Sequence, residues 1–303
     1  MFNNLIKNNF FLLILLSSIW GSAFLSIKLA VNTINPISVV SSRLIIGSLV
    51  LLIYFKIKGN RFNYDFKTYS NIFLCALVGN FIPFYLISWS EIYIPSNLAG
   101  LLLSIAPIFA IVLSHFFTKD DKFNLLKLFG VFIGLIGTIF LIGIEDILYS
   151  IEENFNVLIP KLAVMLAALG YVISSIIAYN LKNINTLSLT TMTTLFAAII
   201  SIPFTIIYEI NNYSLPSFNS IVAVIYLGIM PTALAFLLRF YLINKAGPVF
   251  LSYVAYLIPI FSIMWGYLFL NEIIKSEQLI AIIFIFIGIY IGQKGVSVKN
   301  KKK

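Results

Sequence analysis

Side chains able to do chemistry are scarce in this 303-residue chain, and the few present sit against apolar sequence. There is one cysteine, Cys75, and one histidine, His115, so neither a metal site nor a thiol–imidazole pair can be assembled. Glycine-rich phosphate loops are absent, and all eleven acidic residues fall at the ends of apolar stretches or between them. No buried catalytic cluster can be built from such a set. The chain reads as no enzyme, with no cofactor and no metal.

What remains is a handful of charges at the edges of apolar segments. Arg43 lies seven residues past Pro36, about 10 Å into its stretch at 1.5 Å per residue. Its two-pronged guanidinium either holds a carboxylate from a bound solute or serves the fold, capping helix carbonyls or snorkelling outward. A third reading pairs Glu91 with Arg43 or Lys28 as a gate. His115 lies two residues from the end of its stretch, either as a proton relay or as an ordinary interfacial histidine.

These charges must be positioned by elements of unusual apolarity. The chain is 60% hydrophobic and 10% charged, with a mean hydropathy of +1.02, whereas soluble domains average about 25% charged residues. Ten stretches approach the roughly 20 residues a helix needs to cross about 30 Å of hydrocarbon. They are Phe10–Val31, Ile37–Ile57, Ser70–Ser90, Ser96–Phe117 and Asn124–Ile144, then Pro160–Asn180, Leu187–Tyr208, Asn219–Phe240, Val249–Leu270 and Glu277–Gln293. The expected class is an all-α integral membrane protein of ten transmembrane helices.

Charge placement orients it. With Met1 cytoplasmic, 16 of the 20 basic residues fall in cytoplasmic segments, Arg239 and Lys127 among them, against three outside. The bias predicts both termini cytoplasmic. The pI of 9.5 signals no nucleic-acid partner, because the basic residues sit in short loops and a tail and form no face that tracks phosphates. Lys7 followed by Phe10–Ile19 also resembles a signal peptide. Retention of that stretch is expected, because Trp20-Gly21-Ser22 has a counterpart in Leu169-Gly170-Tyr171.

The ten stretches form two sets of five. Ile105-Ala106-Pro107-Ile108-Phe109 lies over Leu257-Ile258-Pro259-Ile260-Phe261 at an offset of 152 residues. Five spans per copy is odd, so the second copy must be inverted in the membrane, an arrangement typical of alternating-access carriers. The expected organisation is a first repeat over 1–144, an acidic link over 145–156, a second repeat over 157–296 and a basic tail over 297–303. Gly130, Gly134 and Gly137, with Gly288 and Gly292, predict seams of close helix approach. Pro107 and Pro259 predict bends that act as hinges or serve packing alone.

These residues carry a resemblance. Trp20-Gly21-Ser22-Ala23-Phe24, Ser42-Arg43-Leu44, Ile94 through Leu102 with Pro107, Ala246-Gly247, Tyr256-Leu257-Ile258-Pro259 and Leu268 through Glu272 resemble the drug/metabolite transporter superfamily, in its ten-span EamA-type branch. The resemblance covers nearly the whole chain. It implies a carrier of small organic metabolites in the inner (cytoplasmic) membrane, commonly an exporter of amino acids or similar solutes, working without ATP hydrolysis.

The expected lining draws on polar and aromatic residues within the stretches: Trp20, Ser22, Arg43, Asn80, Tyr85, Trp89, Asn97, Tyr171, Tyr253 and Tyr256. Aromatic walls with a few hydroxyl and amide groups suit an amphipathic or zwitterionic solute. The competing reading assigns Trp89 and some tyrosines to the interfacial belt. With no acid at mid-stretch, uniport or exchange is expected rather than tight proton symport. The alternative function is a lipid or lipid-headgroup flippase. The expected partners are a small-molecule substrate and the bilayer, with the oligomeric state left open.

Overall fold

The computed structural model describes residues 8–142, 155–181, 183–212, 215–270 and 276–300, and these form helices joined by short turns, with no strand among them. The helices are α1 (Asn9–Val31), α2 (Pro36–Ile57), α3 (Phe66–Tyr93), α4 (Ser96–Leu102 continued by Ala106–Phe117) and α5 (Leu125–Ile142). They continue as α6 (Phe155–Asn180), α7 (Thr186–Asn212), α8 (Phe218–Ala246), α9 (Pro248–Ser252 continued by Val254–Leu270) and α10 (Ser276–Asn300). Eight carry segments long and apolar enough to cross a membrane, and α5 and α10 carry the shorter apolar stretches Leu125–Leu141 and Leu279–Gly295. The acidic link expected at 145–156 lies almost wholly outside the described residues, as do Glu272, Lys275 and the last three lysines.

Local chemistry starts the helices where the turns fall. Asn8 accepts from the amide of Phe10 and begins α1; Asn35 accepts from the amide of Ile37, with Pro36 as the first residue of α2. Ser217 caps α8 through the amide of Ser220. Within α7 the hydroxyls of Thr190, Thr191, Thr193 and Thr194 turn back to carbonyls one turn earlier. That satisfies them where water is absent.

Helix pairing is nearly unchanged when the two sets of five are exchanged. α1 packs on α8 and α9, and its counterpart α6 packs on α3 and α4; α2 pairs with α7, and α5 with α10. The departures from α-geometry match too. Leu77–Phe81 in α3 and Gly228–Leu234 in α8 are π-helical turns. Pro83 follows the first by two residues and Pro231 lies within the second, and the missing N–H of each leaves a carbonyl one turn back without its usual donor.

The glycines form the expected seam. A Cβ on Gly130 would lie 2.5 Å from the amide nitrogen of Gly292, and one on Gly288 would lie 2.5 Å from that of Gly134. Backbone therefore meets backbone where α5 crosses α10. At one end of the bundle a polar latch joins the α4–α5 loop to the start of α9. Asp121 pairs with Lys127 and accepts from the amide of Val249 at 3.0 Å, and both side chains are buried.

Two sequence assignments need correction. Arg239, counted among cytoplasmic loop charges, is 1% exposed, because α8 runs on to Ala246 and places it seven residues inside the helix. Glu91, assigned to the end of a stretch closing at Ser90, lies two residues before the end of α3 at Tyr93, where it is fully buried rather than facing the loop.

Candidate functional site

A central cavity draws on both sets of five helices. Its lining includes Trp20, Phe24 and Ile27 of α1, Arg43 of α2, Phe84 and Ile87 of α3, Leu103 and Ala106 of α4, Tyr171 and Ser175 of α6, and Arg239 of α8. The first turns of α9 close it with Pro248, Leu251, Ser252, Val254, Ala255 and Ile258. The wall is mostly apolar, with two guanidinium groups set in it.

The π turn of α8 positions two of these residues directly. The indole N–H of Trp20 donates to the carbonyl of Pro231 at 3.2 Å, and Nε of Arg43 donates to the hydroxyl of Thr232 at 3.1 Å. Trp20 stacks on Tyr171 with ring centroids 6.3 Å apart and meets Phe236 edge-on at 5.9 Å. The guanidinium carbon of Arg43 sits 3.8 Å from the Phe84 ring centroid, a cation–π contact in a dry setting. Arg239 reaches across to α6, its Nη2 donating to the carbonyl of Tyr171 at 3.1 Å and to the hydroxyls of Ser174 and Ser175 at 3.1 and 3.2 Å. Its Nη1 has no hydrogen-bond partner, and neither does the fully buried carboxamide of Asn80 on the π turn of α3.

Of the residues expected to line the site, Trp20, Arg43 and Tyr171 are brought together there. The others are placed elsewhere. Ser22 points into a separate groove, 2.6 Å from the hydroxyl of Tyr226. Tyr85 is exposed on the flank of α3, and Trp89 packs on Tyr93 at 5.2 Å, a belt-like pair. The side chain of Asn97 is outside those described. Tyr253 packs against Gly292, and Tyr256 packs against Gly134 while donating to the carbonyl of Val131 at 2.8 Å. Both tyrosines tie α9 to the α5–α10 pair. Replacing Tyr256 by Phe should therefore cost about 1 kcal/mol of stability and leave solute binding unchanged, as a thermal melt with and without solute would show.

The remaining candidates divide in the same way. Pro107 follows a short 3-10 turn, Leu103–Ile105, and Pro259 adjoins Ile258 of the wall, so both lie at cavity level. Neither oxygen of Glu91 has a hydrogen-bond partner; Lys28 donates instead to its backbone carbonyl, so neither expected ion pair forms. His115 is exposed and meets Phe116 and Phe123 edge-on. Sequence reasoning missed Arg239, Phe84 and Ser175. Arg239 carried a signal, standing alone in the apolar run from Ala235 to Leu242.

Among the described residues, ten helices paired across two sets of five, with a cavity walled by both sets, define a membrane transporter of a known architecture. The EamA-like transporter family matches twice, over residues 9–143 and 158–291, and the chain belongs to that family. It is a multi-pass membrane protein. Among similar proteins is the uncharacterized transporter YoaV of Bacillus subtilis, 22% identical over 90% of this chain and 92% of the relative. An S-adenosylmethionine/S-adenosylhomocysteine transporter of Chlamydia muridarum is 24% identical over 92% of this chain and 89% of its own. A solved crystal structure shares the fold with a TM-score of 0.77, 18% identity and coverage of 94% of this chain and 97% of the other.

Proposed function

We propose that this protein is a secondary transporter that exports small amphipathic or zwitterionic organic metabolites across the cytoplasmic membrane by alternating access. Residues 1–144 and 157–296 act as inverted repeats that rock about the central cavity, with both termini cytoplasmic and Pro107 and Pro259 as hinges. The observation that carries this reading is a cavity walled by both sets of helices. Any relative tilt of the two sets changes which side of the membrane it reaches. Organic cargo is supported by the aromatic wall around Trp20, Phe84 and Tyr171, and the chlamydial relative is named for organic cargo.

Counterflow in proteoliposomes tests it. Vesicles preloaded with mixed amino acids and small organic acids should accumulate label against its gradient. Trp20→Ala should lower the rate about tenfold or more, since a buried aromatic anchor carries a large share of binding energy. Undiminished counterflow in that variant would remove the central cavity from the transport path. Lipid scrambling without solute flux would replace the carrier reading altogether.

A further inference from the structure

We infer that the central cavity is selective for organic anions, taking a carboxylate or phosphate between Arg43 and Arg239 and the attached apolar body against Trp20, Phe84 and Tyr171. The inference rests on the transporter reading above and, within its solute class, selects amphipathic anions over zwitterions.

The charge balance of the cavity carries the argument. Both guanidinium groups belong to the lining, and no acidic side chain does. The pair Lys127–Asp121 is the ion pair found among the described residues, and it lies away from the lining; neither cavity arginine has a carboxylate within salt-bridge distance. Arg239 is 1% exposed and is held by neutral acceptors, with Nη1 left over. Arg43 is 3% exposed, and its contacts are the Thr232 hydroxyl and the face of Phe84.

A buried cation without a counterion is costly, and two facing one cavity add mutual repulsion. A bound oxyanion relieves both terms. The planar fork of arginine matches carboxylate and phosphate oxygens, and the apolar surroundings strengthen the interaction by excluding water. The same lining disfavours an ammonium group. Glu91 stands outside the wall, so no acid of the lining receives one. A zwitterion would satisfy one end and leave the other against two positive charges.

Four probes sharing a phenyl ring separate charge from shape: phenyl phosphate, phenylacetate, phenylalanine and phenethylamine. Each is titrated against the intrinsic fluorescence of the purified protein, with Trp20→Phe identifying the cavity signal, and each is then offered in counterflow. The expected result is that both anions bind at least about tenfold tighter than phenethylamine and tighter than phenylalanine. The order of the two anions tells phosphate from carboxylate. Arg43→Gln and Arg239→Gln should each weaken anion binding about tenfold while leaving phenethylamine no weaker. If a glutamine variant misfolds, Arg239→Lys keeps the charge without the fork and should retain an intermediate anion affinity.

Phenylalanine or phenethylamine binding as tightly as the anions would overturn the selectivity, as would folded glutamine variants that bind anions like the parent. Counterflow of phenylalanine alone would overturn it while leaving the carrier reading intact. Arginine-dependent anion binding without flux of any probe would uphold the selectivity and sink the carrier reading.

Discussion

Asp121→Ala should destabilise the protein by about 3–5 kcal/mol, the usual cost of leaving one half of a buried ion pair without its partner. The carboxylate is 6% exposed and serves two groups at once, the ammonium of Lys127, itself 2% exposed, and the amide of Val249 at 3.0 Å. Val249 is in the first turn of α9, where free N–H groups and the helix dipole favour a negative charge. Just before it, Gly247 takes φ +89°, and a Cβ there would lie 2.9 Å from the Asp121 carboxylate, so chain reversal and latch require each other. Removing the carboxylate strands Lys127, which keeps only the carbonyl of Lys122 at 2.9 Å. Thermal unfolding in detergent checks this, and Asp121→Ala combined with Lys127→Met should recover part of the loss. A single variant as stable as the parent would show that the latch contributes nothing to holding α9.

Gly288→Leu should have an effect at least as large, abolishing the folded monodisperse protein. A single added carbon at Gly288 would already meet backbone of α5, 2.5 Å from the Gly134 nitrogen and 2.7 Å from the Gly130 carbonyl oxygen. Backbone cannot rotate aside as a side chain can, so α5 and α10 would have to part along their seam. Overpacking in a core costs about 1–3 kcal/mol even where side chains yield. Gly100→Ala is the matched control, because the nearest atom to its new carbon is 3.6 Å away, an ordinary contact. Fluorescence-detected size exclusion should show the control eluting like the parent and the leucine variant aggregated or absent. Equal elution of the two would mean that the seam is not a close packing contact.

The architecture was legible in the residues because membrane physics writes it there. A bilayer demands a fixed length of apolar helix and internal satisfaction of every backbone group, so the stretches and their duplication around Pro107 and Pro259 announced ten helices. Small residues at helical spacing announced the α5–α10 seam for an equally direct reason, since only glycine permits backbone contact. Trp20, Arg43 and Tyr171 were found because each is an aromatic or charged group within a stretch long enough to cross the membrane.

Other parts of the site were beyond that kind of reading. Helices apolar on every side show no stripe to tell cavity from packing, so Tyr253 and Tyr256 looked like lining yet fasten α9 to the seam. Arg239 was counted with the cytoplasmic charges because its stretch was taken to end at Phe240, one residue beyond it. The continuation of α8 to Ala246 buries the guanidinium seven residues deep, the same depth at which Arg43 enters α2 from its own end.

The sequence alone determined the number of helices, their duplication, the seam glycines and the membrane setting, all consequences of local composition and spacing. Tertiary structure alone decided that the two arginines share one cavity and that Glu91 stays outside its wall. Those facts depend on the rotation of each helix about its axis, which is set by packing between residues more than two hundred positions apart, as in the bond from Trp20 to Pro231.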